Sequence, residues 1–157
     1  MFEMKMTALW GDMDFNAHMR NIAYLDKAVD IRMTFFASKG FPPGELARLR
    51  MGPVTKKDEV EYFREVGLLE EMRVTLWMAG LAEDGSRWLM KSEFFRADGQ
   101  LAATVKSLGG WISQSERKLI AAPEDLLKAL QEIPRTEDFS VLPGSVRRQV
   151  DVVSLQV

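Results

Sequence analysis

The stretch from Trp10 to Leu25, WGDMDFNAHMRNIAYL, holds the only histidine of the chain together with two aspartates and two asparagines. Asp12, Asp14, His18 and Asn21 are residue types that move protons, hold a water or polarise a carbonyl. They stand directly before a run with helical periodicity. A helix N-terminus offers unpaired amide N–H groups and a partial positive charge, which suit an oxyanion developing on an acyl carbonyl. A carboxylate beside it can activate a water or attack directly. Acyl transfer to water is the chemistry such a set can do.

Composition narrows the field. At 157 residues the chain suits one domain with a real core. Hydrophobic residues make up 46% and charged residues 28%, which argues against global disorder. The net charge is −2 and the basic residues are scattered, so no nucleic-acid footprint is expected. With no cysteine, disulfides, thiolate metal sites and cysteine nucleophiles are excluded. One histidine excludes a multi-histidine metal site within one chain, and no cofactor is expected. The N-terminus does not resemble a signal peptide. No apolar run approaches the ~20 residues that span a bilayer. The expectation is a cytoplasmic, soluble domain with no membrane partner.

The site needs elements to hold it. Residues 3–9 alternate as a short strand. From Asn21, a plausible N-cap, Ile22, Leu25, Ala28 with Val29, Arg32 with Met33, and Phe36 recur at spacings of three and four and predict one long helix to about Ser38. Gly40, Pro42 and Pro43 end it. Strands are expected around 51–65, 70–82, 86–97 and 100–114. The last three are joined by EDGS and ADGQ, whose Asp-Gly pairs favour hairpin turns. APEDLLKALQEI predicts a short helix closing near Ile133, and the segment 134–157 reads as a tail without a strong period. One long helix on one antiparallel sheet is an α+β arrangement. Its domain spans 1–133, and its open sheet face calls for a partner copy.

WGDMDFNAHMRNIAYLDKAVD is similar to the N-terminal motif of hot-dog-fold acyl-CoA thioesterases, the 4-hydroxybenzoyl-CoA thioesterase-like superfamily. In many members a strand leads to an aromatic, Asp-x-Asp, Gly-His or a similar pair, and Asn just before Tyr or Phe. Trp10, Asp12, Asp14, His18, Asn21 and Tyr24 stand in matching places. The resemblance implies a hot-dog fold, an antiparallel sheet wrapped around the long helix. It also implies hydrolysis of an acyl or aryl thioester of coenzyme A, in a homodimer or homotetramer. Asp14 becomes the catalytic carboxylate. His18 would orient Asp14 or the water, and Asn21 would donate a hydrogen bond to substrate or water. Ala17 replaces a common Gly and Arg20 replaces a second Asn, which bears on the shape of the loop.

Each residue also has a plainer reading. Asp12 can simply cap a turn, Asn21 can be only an N-cap, and Trp10 and Tyr24 read as packing residues. Glu59, Glu61 and Glu65 read as a solvated strand edge, with a second catalytic carboxylate as the sharper option. Lys56, Lys57, Arg64 and Arg73 could meet coenzyme A phosphates or merely keep the surface soluble. Gly109 and Gly110 read as a bulge rather than a phosphate cradle. Two other functions compete. Hot-dog hydratases or dehydratases of enoyl thioesters place Asp and His one residue further apart with an intervening Pro, which this chain lacks. A non-catalytic acyl-thioester-binding domain would not need the polar triplet.

Overall fold

Both Asp-Gly turns close as hairpins, with Gly85 and Gly99 at φ +71° and +84°, the left-handed region that glycine enters without cost. They join β3 (Glu71–Ala82), β4 (Arg87–Phe95) and β5 (Leu101–Ser113) into an antiparallel meander. β1 (Phe2–Thr7) pairs with β3 and β2 (Met51–Tyr62) pairs with β5, giving the order β1-β3-β4-β5-β2. The computed structural model describes residues 1–145, so 146–157 of the expected tail lie outside the described residues.

The long helix α1 (Asn21–Ser38) touches β1, β2, β3 and β5. Edge strands β1 and β2 stand four positions apart in the sheet, about 19 Å if it were flat at ~4.8 Å per strand. A helix is only ~10 Å across, so one helix reaches both edges only if the sheet curls around it. Ile31, Phe35 and Phe36 of α1 enter a core with Trp88, Trp111, Met78 and Met90. Phe36 meets the Trp111 ring edge-on at 5.0 Å. This is the α+β wrap expected of a hot-dog fold.

Four expectations need correction. The buried face of α1 carries Ala23, Tyr24, Lys27, Ala28, Ile31, Arg32, Phe35 and Phe36, while Ile22 and Val29 are exposed. The expected stripe holds at Ala28, Arg32 and Phe36, while Lys27 on the inner face hid the rest of it. Arg20 is the N-cap, with extended backbone, and Asn21 is the first helical residue. Pro42 and Pro43 end α1 but also start a second helix, α2 (Pro43–Arg48), because proline fits the first helical turn. Finally, residues read as the start of a tail form β6 (Arg135–Leu142), after α3 (Glu124–Glu132). β6 runs parallel to β3 along Gly80–Ala82, beyond Phe2–Thr7, which cover Glu71–Leu76. Its polar alternation is that of an edge strand, a weak signal in sequence.

The Gly109–Gly110 pair marks an irregularity, as expected of a bulge. β2 shifts register between Thr55 and Lys57, opposite Gly109 and Leu108. A Cβ on Gly109 would lie 2.3 Å from the Val54 carbonyl oxygen and 2.5 Å from the Trp88 ring, so only glycine fits.

Candidate active site

Residues 13–19 fold back on themselves before α1 begins. Met13 and Met19 form an isolated antiparallel bridge, and the Asp14 N–H donates to the His18 carbonyl at 2.8 Å. Inside this loop the Asp14 side chain organises its own backbone. Its Oδ1 accepts the N–H groups of Asn16 (2.9 Å) and His18 (3.1 Å). Its Oδ2 accepts from no protein group among the described residues, and the side chain is exposed. One carboxylate oxygen is fixed and the other is available.

Ala17 sits at φ +59°. That left-handed position costs a side chain roughly 1 kcal/mol or more, whereas glycine would enter it freely. Arg20 holds the other side, its N–H donating to the Asp12 carbonyl (2.8 Å) and its guanidinium to the Gly11 carbonyl.

Asp12 faces away from the site. Its Oδ2 accepts the Leu9 N–H (2.9 Å) and lies 3.0 Å from Lys27 Nζ on the buried face of α1. Burial alone would raise its pKa, but the Leu9 amide, Lys27 and Arg20 outweigh that and hold it below the usual carboxylate range. The turn-capping reading is the one the geometry gives. Trp10, expected to pack, is 79% exposed. It rides on a single 3-10 turn, Trp10–Asp12, and no other described residue covers it.

The segment between β2 and β3 forms the facing wall. The Met19 N–H donates to the Val66 carbonyl at 2.8 Å, and His18 bridges Gly67 through backbone. The His18 ring does not hydrogen-bond Asp14. Its Nε2 lies 3.2 Å from Glu65 Oε2. Glu65 therefore separates from Glu59 and Glu61, which stay exposed on the strand. The signal for this partner was weak, because the contact depends on how residues 63–70 turn back after β2.

At the head of α1, Asn21 Oδ1 accepts the Ile22 N–H (3.0 Å) and the Ala23 N–H donates to the Arg20 carbonyl (3.0 Å). The Asn21 N–H has no protein acceptor among the described residues. The Asn21 carbonyl accepts the Tyr62 hydroxyl at 3.0 Å. Beside them is a groove of about 260 Å³ lined by Met19, Asn21, Tyr24, Tyr62, Arg64 and Glu65, with Phe63. Tyr24 is buried as expected and stacks edge-on against Tyr62 and Phe94, each at 5.4 Å. Burial, with Tyr62, Glu70 and Glu65 adding to it, pushes its phenol up to about 12, so it keeps its proton. Of the four basic residues singled out in sequence, only Arg64 lines this groove. Lys57 pairs with Glu59, and Arg73 pairs with Glu3 while lying over the Phe95 ring. Among the described residues, no group of three or more His, Asp or Glu side chains could hold a metal ion. No described helix is long and apolar enough to cross a membrane.

A curled antiparallel sheet around one helix, with a polar loop at the head of that helix, defines a hot-dog protein of the thioesterase class. Residues 8–130 match the thioesterase-like superfamily, and the chain belongs to it. Solved structures repeat the fold. A Staphylococcus aureus protein in complex with CoA is 23% identical, with 94% of this chain and 89% of that one covered and a TM-score of 0.77. The 1,4-dihydroxy-2-naphthoyl-CoA thioesterase from Synechocystis is 15% identical, covering 83% and 96%, with a TM-score of 0.75. The probable thioesterase YbaW from Escherichia coli is 16% identical, covering 85% and 98%, with a TM-score of 0.70. No curated protein sequence matches significantly.

Proposed function

We propose that this protein hydrolyses an acyl-CoA thioester to the free acid and coenzyme A, with Asp14, His18 and Asn21 at the reacting centre. The observation that carries the reading is Asp14, exposed beside the head of α1 with one oxygen committed to the loop and the other open. Asp14 Oδ2 takes a proton from water as the water oxygen bonds to the thioester carbon. The carbonyl oxygen, now an oxyanion, is held by the free Asn21 N–H at the positive end of α1. The oxyanion then collapses and the C–S bond breaks. The leaving thiolate takes up the proton held by Asp14, giving acid and thiol. Arg64 offers a cation at the groove for the phosphates of coenzyme A. The hydratase alternative gains nothing from this geometry. A panel of aryl- and fatty acyl-CoAs with a thiol reagent tests the proposal, and no coenzyme A released from any of them would sink it.

His18 supports the reaction from the Glu65 side. His18→Ala is expected to lower kcat less than loss of the Asp14 carboxylate does. A kcat left unchanged by the substitution would reduce His18 to a packing residue.

Self-association completes the proposal. β2 is a sheet edge of 12 residues, exposed along most of its length. Around the site end stand exposed Trp10, Phe15, Ile22, Tyr62, Phe63 and Leu69, Phe15 at 98%. Apolar groups gathered this way mark an interface. Sedimentation at micromolar concentration should give a dimer or tetramer, and a species of only 17.9 kDa would contradict it.

A further inference from the structure

Arg32 interrupts the apolar face of α1 and is 5% exposed. The other buried cation of that helix, Lys27, has Asp12 at 3.0 Å. Arg32 has no carboxylate at ion-pair distance among the described residues. Its Nη1 donates to Ser107 Oγ (2.9 Å), whose own hydroxyl donates to Asp58 Oδ1 (2.5 Å). The guanidinium carbon lies 5.4 Å from the centre of the Trp88 ring. Nε and Nη2 donate to no described protein atom. Nor are they sealed in: the sealed, unpartnered side-chain nitrogens are Arg20 Nε, Arg96 Nε and the indole N–H groups of Trp77, Trp88 and Trp111. A buried guanidinium without a direct counter-ion is costly, and here burial depresses its pKa while Asp58 works the other way. Free donors that remain reachable are what a ligand acceptor needs.

The position of Arg32 says which ligand. Asn21 and Arg32 are 32 − 21 = 11 residues apart on one helix. At 3.6 residues per turn they fall within ~20° of the same side and ~16 Å apart along the axis. On β2, Tyr62, Val60 and Asp58 alternate onto one face and pair with Ala103, Val105 and Ser107 of β5. Tyr62 ties this seam to Asn21 at the top, and Asp58 reaches Arg32 through Ser107 at the bottom. Val60 and Val105 make the middle apolar, with Ala28 on the helix side adding little bulk. Polar head, apolar middle and cationic foot lie in one line.

We propose that the seam between α1 and β2 receives the acyl group, and that Arg32 with Ser107 binds an oxygen acceptor, a carboxylate or hydroxyl, at its far end. The thioester end of this proposal rests on the thioesterase reading above; the acceptor end does not.

Two measurements separate them. The first compares kcat/KM on acyl-CoAs of matched length ending in methyl, hydroxyl or carboxylate. The second measures calorimetric binding of the corresponding free acids to wild type, Arg32→Met and Ser107→Ala. Hydrogen bonds to a charged donor predict a preference of roughly 10- to 100-fold for an oxygen-bearing end over methyl in both. That preference should vanish in Arg32→Met and weaken in Ser107→Ala, with methyl-ended ligands little affected. A better carboxylate indicates charge recognition, and a better hydroxyl indicates a group that accepts from Arg32 and donates to Asp58. If no thioester is cleaved but the oxygen-bearing acids bind through Arg32, the hydrolase reading fails and the seam stands. Equal or better binding and turnover of methyl-ended ligands by wild type overturns the proposal, as does a preference that survives Arg32→Met. If Arg32→Met does not fold, the wild-type preference and Ser107→Ala decide alone.

Discussion

Asp14→Asn is expected to lower kcat by ~10²-fold or more while leaving the melting temperature near that of wild type. A positioned acid–base group contributes 10²–10⁴-fold in rate, and asparagine cannot take the proton from water. The substitution is chosen for what it keeps. Asp14 Oδ1 accepts the Asn16 and His18 N–H groups, and an asparagine Oδ1 can accept both, so the loop and the left-handed Ala17 stay in place. The side chain is exposed, so little packing is lost. Steady-state kinetics on the best acyl-CoA, with a thermal melt, checks both halves. If KM rises while kcat holds, Asp14 binds substrate rather than activating water. If most turnover survives, Asp14 is not the base, and Glu65, 3.2 Å from the histidine ring, is the next carboxylate to replace.

What sequence revealed here followed from local rules. Asp-Gly turns, alternation in the meander and the polar cluster ahead of a helix each depend on neighbours within a few residues. The family likeness rests on the same short stretch, and residues 8–130 bear it out. The missing parts depend on long-range contact. β6 is polar because it covers only a sheet edge, so its alternation is too faint to read. Glu65 reaches His18 only after residues 63–70 fold back across the site. The inner face of α1 was read in part: Arg32 fell on the expected stripe, but Lys27 looks like a solvent-facing residue. Each is tolerated inside by a partner far away in sequence, Asp12 for Lys27 and Ser107 for Arg32. Exposed Trp10 belongs with these, since no described residue covers it.

Asp12→Ala is expected to cost stability rather than chemistry, about 3 kcal/mol. Lys27 has only 11% of its side chain exposed, and Asp12 is its ion-pair partner at 3.0 Å. Removing one member of a buried pair typically costs 3–5 kcal/mol, because the other charge is left uncompensated. The low end applies, since a fifth of the Asp12 side chain meets solvent. The Leu9 N–H also loses its acceptor. For a domain of this size ~3 kcal/mol corresponds to a drop of roughly 6–12 °C in melting temperature. Adding Lys27→Met should restore part of the loss, because the stranded ammonium goes with it. The pH dependence has a definite sign. The folded Asp12 pKa lies below the usual carboxylate value, since the Leu9 amide, Lys27 and Arg20 outweigh burial. Its contribution is therefore fully present above the unfolded value of ~3.9 and is lost as pH falls through the folded one. Chemical denaturation of wild type and Asp12→Ala should show a constant gap from neutral pH down to about 5, narrowing as the carboxyl protonates. A gap that widens in acid, or a double variant no more stable than Asp12→Ala, would mean that Lys27 is not held in place by this carboxylate.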